Sequence, residues 1–234
     1  MRSQNCAQRI EYFRSGLCAT LPLAPGVIAF GLVYALGARQ MGLSPVETLL
    51  MSLSVFAGAA QFSALQVWTT ASAGVIILVT LIVNLRYLLM SASMAPYLQN
   101  RHWFDKALAA FTLSDESYAL TMPRYTSGQG EFVYLTGANL GLYLQWAAAS
   151  LVGALLGTSL PDLSVYRLDL IFPFAFLGLL VPQIQNRITL FVAVVAGALA
   201  FGGAMLIPGK GYILLAGLGA SLGGVLLERM WKQP

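Results

Sequence analysis

The sequence predicts an all-α polytopic membrane protein, a single integral membrane domain spanning residues 1–234 with seven transmembrane helices. Three observations predict it. Charged residues are only 9% of the chain, against roughly 25% in an average soluble domain, too few to cover a water-facing surface. Hydrophobic residues are 58%, and several apolar runs approach the roughly 20 residues that cross a bilayer as a helix. Basic residues flank those runs: Arg2, Arg9 and Arg14 precede the first, and Arg229 and Lys232 follow the last, where they hold helix ends at the headgroups. That placement accounts for the net charge of +4 without nucleic acid. Two cysteines, Cys6 and Cys18, give no disulfide framework.

The first apolar segment, 17–38, is longer than the 7 to 15 residue core of a signal peptide and reads as a retained span interrupted by Pro22 and Pro25. The second, 45–67, has the clearest start. Ser44-Pro45-Val46-Glu47 combines a hydroxyl N-cap, a proline at the first helical position and a glutamate placed for a capping box. Further spans follow at 74–97, 132–157, 169–181 (with Pro173 inside and Pro182 beyond), 188–207 and 212–227. Segment 106–122 is apolar at its ends but carries Asp115 and Glu116 at its centre, so it spans, re-enters or lies along the surface. Gly137-x-x-x-Gly141, Gly153-x-x-x-Gly157 and Gly219-x-x-x-Gly223 put small residues on single helix faces, which favours close packing within the bundle.

Sliding the chain by 120 positions lays Leu36, Gly37, Leu43, Ser44, Leu50, Phe56 and Gly58 on Leu156, Gly157, Leu163, Ser164, Leu170, Phe176 and Gly178. This suggests a weak internal two-fold repeat of 17–122 and 132–227, with a substrate site at the interface of the halves. The repeats are inverted if 106–122 does not span and parallel if it does.

Function concentrates in polar groups at membrane depth, since each is costly there unless paired or hydrated. Around Gly58, Ala59 and Gln61 small residues weaken a helix and leave backbone groups reachable by a ligand's amino or carboxylate group; the alternative is a close helix crossing with Gln61 bonded to a neighbour. Asn84 and Arg86 lie inside the third segment, Arg86 roughly 18 Å from its start, so the guanidinium requires a carboxylate from the protein or a substrate. Asp115 and Glu116 supply it. Asp115 is expected to face Arg86, because adjacent helical positions point roughly 100° apart. Protonation of either carboxyl would couple transport to a proton gradient, whereas the structural reading makes Ser114 an N-cap with both acids in the first helical turn.

These blocks also carry a family resemblance. Phe56-Ala57-Gly58-Ala59-Ala60-Gln61-Phe62, Asn84-Leu85-Arg86-Tyr87-Leu88-Leu89-Met90 and Leu113-Ser114-Asp115-Glu116 resemble, in order and spacing, the signature blocks of the AzlC family. That family comprises the large subunits of bacterial branched-chain amino acid exporters. The resemblance covers essentially the whole chain. It implies a multi-pass protein of the bacterial cytoplasmic membrane, valine, leucine and isoleucine as substrates, and a small hydrophobic AzlD-type membrane subunit as partner. Tyr87 departs from it, standing where relatives often carry a histidine after the arginine, so no proton role carries over to that position.

No Walker A loop is present: Gly203 and Gly209-Lys210 are separated by five residues, and Gly211 stands where Ser or Thr is required. The only histidine, His102, lies at a segment edge, so neither a histidine-rich metal site nor a Ser-His-Asp triad is expected, and no cofactor. The leading function is therefore a proton-coupled secondary exporter subunit, with Phe56, Phe62, Phe174 and Phe176 for the apolar side chain of the substrate. A channel or structural subunit is the alternative, followed by a membrane-embedded enzyme.

Overall fold

The computed structural model describes residues 2–157, 186–206 and 211–231, together with 177, 181 and 184. The chain divides into two compact units, Met1–Ile171 and Phe172–Pro234. Every regular element among the described residues is helical. Among the described residues, four apolar stretches are long enough to cross a membrane: Ala7–Gln40, Ala73–Leu98, Phe132–Leu156 and Arg187–Leu206.

In the first unit, α1 (Arg2–Ala19) and α2 (Ala24–Gln40) form the first stretch, joined by a 3-10 turn at Leu21–Leu23. The break falls at Pro22 and Pro25, as proline's missing N–H requires, but the helix begins well before residue 17. The stretch lies along α8 (Phe132–Leu156) in the same direction. A Cβ on Gly137 would sit 2.2 Å from the Phe13 carbonyl oxygen, one on Gly141 2.7 Å from Thr20 Oγ1, and one on Gly153 2.7 Å from Ala35 Cβ. The first two small-residue faces are therefore packing seams.

The segment expected to span at 45–67 does not. It forms α3 (Pro45–Val55) and α4 (Gly58–Val67), of 11 and 10 residues, each about 15 Å long and half a bilayer core. The predicted capping box opens α3: the Glu47 amide donates to Ser44 Oγ and the Ser44 amide donates to Glu47 Oε2. Helix α3 starts beside the C-terminal end of α8 and runs to its middle, where Ser52 bonds Ser150 at 2.7 Å and Tyr143 donates to the Leu53 carbonyl. There α4 doubles back. Gln61 reaches the Met51 carbonyl at 3.0 Å, and Phe62 packs edge-on to Tyr34, whose hydroxyl bonds the Thr48 carbonyl. A continuous helix would place residues 51 and 61 roughly 15 Å apart.

Helix α5 (Ala73–Met94) then crosses the whole bundle, ending with a 3-10 turn, Ala95–Leu98, beside the N-terminal end of α8. Segment 106–122 is a second hairpin. Helix α6 (Trp103–Phe111) enters from the end where α5 finishes, the chain turns at 112–114, and α7 (Asp115–Thr126) returns to the same end. Three contacts fix this path. Arg86 pairs with Asp115, Ser93 with Tyr118 at 2.9 Å, and the Tyr97 and Tyr125 rings lie 5.2 Å apart, so α7 runs parallel to the last half of α5. At the returning end Arg101 lies over the Phe132 ring and Arg124 over the Tyr134 ring. The segment re-enters.

We call the end holding the α8 N-terminus the near face and the other the far face. A far-face hairpin is followed by a span to the near face, then a near-face hairpin by a span to the far face. Two long stretches, α1–α2 and α5, precede α8, and α1–α2 runs parallel to α8. The seven-helix count thus fails at its second member, for a reason hydropathy does not register: direction of travel. Apart from Leu177 and Val181, the span at 169–181, with Pro173, Phe174 and Phe176, lies outside the described residues, as do the repeat partners Leu163, Ser164, Leu170, Phe176 and Gly178.

The second unit contains α9 (Arg187–Leu206) and α10 (Gly211–Trp231). They pack antiparallel: a Cβ on Gly219 would sit 3.5 Å from Leu199 Cδ1 and one on Gly224 would run into Val192, while a Cβ at Gly223 would meet nothing within 4 Å.

Candidate functional site

The two hairpin tips come from opposite faces and meet on one helix. At the far-face tip, Phe56 holds a left-handed conformation (φ 39°, ψ 47°), the one positive φ of a non-glycine residue among those described. Such a backbone costs about 1–3 kcal/mol and persists only when its surroundings fix it. Here they do. The Phe56 amide bonds the Ser52 carbonyl, and its buried ring packs 4.8 Å from that of Tyr143. Gly58 lets Trp146 close in: a Cβ there would lie 2.9 Å from Trp146 Cη2. The α4 N-terminus has Ala57 as its N-cap, which has no side chain to accept a hydrogen bond. The first-turn amides of Gly58, Ala59 and Ala60 therefore find no acceptor among the described residues, and the positive end of the α4 dipole stands uncompensated at mid-depth.

The near-face tip is compensated. Ser114 caps α7 through a reciprocal pair with Ser117, and Asp115 and Glu116 occupy the first turn. The freed Ala109 carbonyl of α6 receives Asn139 Nδ2 at 3.1 Å, and the same nitrogen reaches Thr112 Oγ1 at 3.0 Å. The structural reading of Ser114-Asp115-Glu116 holds, and the capped helix also supplies the ion-pair partner of Arg86. Arg86 Nη1 lies 2.6 Å from Asp115 Oδ2, with side chains 29% and 32% exposed. Nη2 is 3.4 Å from the Tyr87 hydroxyl, the guanidinium covers the Tyr87 ring at 5.0 Å, and Nε has no partner. Asp115, as expected, faces Arg86, while Glu116 forms no ion pair among the described residues.

The sequence-predicted residues thus fall into two groups. Gly58, Ala59 and Gln61 form the far-face tip; Asn84, Arg86 and Asp115 gather at the near-face tip and on α5. No hydrogen bond or ion pair among the described residues joins the groups. Between them stands Tyr143, with the ring of Phe56 at 4.8 Å on one side and that of Phe111, the last residue of α6, at 6.4 Å on the other. Gln61 is bonded to a neighbour through Nε2, as the packing alternative requires, yet its buried Oε1 has no partner, and neither has Asn84 Oδ1.

Asn139, Tyr143 and Trp146 were not singled out from the sequence. A signal existed for the first: Asn139 is a polar residue deep in an apolar run, as Asn84 is, and Tyr143 lies one turn further on the same face.

The sequence model of the AzlC protein family matches residues 22–160, a stretch that contains both hairpins and the candidate site residues. An uncharacterized membrane protein of Archaeoglobus fulgidus is 33% identical over 191 residues, covering 80% of this chain and 83% of that protein. The inner membrane protein YgaZ of Escherichia coli is 25% identical over 94% of this chain and 92% of its own length. The branched-chain amino acid transport protein AzlC of Bacillus subtilis is 25% identical over 87% of this chain and 80% of its own length. No solved structure matches the chain.

Proposed function

The chain belongs to the AzlC family of membrane transport proteins, and from that premise we propose that it is the permease subunit of a secondary transporter that exports branched-chain amino acids at the expense of the proton gradient. One observation carries the proposal. Two half-membrane hairpins from opposite faces end on the same side chain, Tyr143, and expose helix ends and a charged pair at mid-depth. Interrupted helices and buried charge are expensive in a bilayer and are typical of substrate and ion sites.

The substrate carboxylate exchanges with Asp115 on the Arg86 guanidinium while a proton neutralises Asp115, so that buried charge stays balanced. The amides of Gly58 and Ala59 and the carbonyl oxygens of Gln61 and Asn84 supply the remaining polar contacts, and Phe56 and Phe62 the apolar ones. Glu116 is the second carboxyl available to the proton. The near face is cytoplasmic, because Arg9, Arg14, Arg101, Lys106 and Arg124 lie at or beside it and, among the described residues of this unit, Arg39 alone lies at the far face. That places the chain in the cytoplasmic membrane with Asp115 on the inward-opening hairpin. A small AzlD-type subunit docks on the Gly219 to Gly223 face of α10, where Gly223 is open.

Flux in proteoliposomes tests this. With the small subunit present, leucine, isoleucine and valine should move saturably and in proportion to an imposed pH gradient. Flux that never saturates indicates a channel, and absence of flux with both subunits present removes the transport reading.

A further inference from the structure

Where the α8 face passes between the hairpin tips it donates hydrogen bonds to the end of each hairpin's first helix from one side chain, and the two donors lie one helical turn apart; further along the same face Ser150 bonds Ser52 and Trp146 packs on Gly58 of the far-face hairpin. Asn139 grips the near-face hairpin, donating to the Ala109 carbonyl and Thr112 Oγ1 at the end of α6. Tyr143 grips the far-face hairpin, donating to the Leu53 carbonyl at 3.0 Å while its ring packs on Phe56. Two of these three bonds, those to Ala109 and Leu53, go to carbonyls that the helix breaks leave without an intrahelical partner. They are therefore the natural place for a hairpin to let go: freeing the end of α3 or α6 from α8 costs one or two hydrogen bonds and a ring contact, while Ser52–Ser150, the Arg86–Asp115 pair, the spans and their glycine seams can stay in place. The shared helix also couples the two, because Tyr143 touches Phe111 of the near-face hairpin as well as Phe56 of the far-face one.

We infer that Asn139 and Tyr143 are positioning residues that act as two separate latches, Asn139 closing the path to the near face and Tyr143 the path to the far face. Alternating access then consists of releasing one latch while the other holds. The inference rests on the transporter reading above for its purpose, but not for its geometry.

The test uses single cysteine reporters at the buried tips, Ala57→Cys and Leu113→Cys, in a chain with Cys6→Ser and Cys18→Ser. A membrane-impermeant maleimide is applied to right-side-out and inverted vesicles. Tyr143→Phe keeps the ring and deletes the donor, so far-face labelling at Ala57→Cys should rise about fivefold, the equilibrium equivalent of one net hydrogen bond, with near-face labelling at Leu113→Cys unchanged or lower. Asn139→Leu should do the converse. A structural role alone predicts loosening of both tips toward both faces; that result, or no change in either, overturns the latches. If Asn139→Leu fails to accumulate, Thr112→Val removes one acceptor of the same latch and must give the same near-face signature, and its absence overturns the assignment equally. Leucine flux in the same vesicles separates the two claims. One-sided labelling without flux keeps the latches and removes the substrate class, whereas flux with two-sided labelling does the reverse.

Discussion

Replacing Asp115 by asparagine keeps the shape of the α7 first turn and strands the Arg86 guanidinium, which then retains only the Tyr87 ring and hydroxyl. A lone ionised side chain at mid-bilayer costs about 2.5–3.5 kcal/mol on insertion scales. The pair is roughly one-third exposed at each side chain, which discounts that figure, so Asp115→Asn should destabilise the chain by about 2 kcal/mol. Arg86→Gln alone leaves a lone carboxylate and should cost a similar amount. The double variant removes both charges together, and its cost should fall short of the sum by about 1–2 kcal/mol. Unfolding in mixed detergent micelles, followed by loss of helical signal, measures all three. Activity should part from stability: each single variant and the recovered double variant should lack gradient-driven export, because the carboxyl is needed for the proton. Additive single costs would refute the reasoning that pairing is what lets these charges reside there. A well-folded Asp115→Asn protein with normal pH-dependent export would refute the proton role and turn attention to Glu116.

Three further outcomes follow from packing. Gly58→Ala should destabilise by about 1–3 kcal/mol and weaken export, since the new methyl would meet Trp146, which is itself buried and stacked on Tyr34 at 6.0 Å; thermal unfolding and flux check it. Gly137→Ala should cost at least as much, because the obstacle is the Phe13 backbone carbonyl, whereas Gly223→Ala should be near neutral for the chain alone and weaken co-purification of the small subunit. Ser114→Ala, which deletes the cap of α7, should cost about 1 kcal/mol in the same unfolding assay.

Local chemistry made part of this fold legible. The start of α3 followed from Ser44, Pro45 and Glu47 because caps act within one turn, whereas the small residues around Gly58 signalled only a weakened helix, not the break before it. The Arg86–Asp115 pair was legible for an energetic reason: two charges in an apolar medium must find each other. The reversal of α4 on α3 was not, because hydropathy along 45–67 is the same for a span and for a hairpin. What decides between them is long-range, Gln61 finding Met51 and Tyr143 finding Leu53. The same blindness hid the role of α8, whose Asn139 and Tyr143 take their meaning only from the carbonyls that other segments expose to them. In segment 106–122 the acids at the centre signalled an interruption, but the return of α7 to its starting face rests on Tyr97 and Tyr125, 28 residues apart in sequence.

The central claim is that two half-membrane hairpins enter from opposite faces, and mapping four loop positions tests it most directly. Single cysteines at Gln40 and Thr70 flank the first hairpin, and at Asn100 and Gln129 the second; all four are exposed. Labelled with an impermeant maleimide in right-side-out and inverted vesicles, Gln40→Cys and Thr70→Cys should react from one face and Asn100→Cys and Gln129→Cys from the other. Reaction of Gln40→Cys and Thr70→Cys from opposite faces, as a continuous span over 45–67 demands, would contradict it.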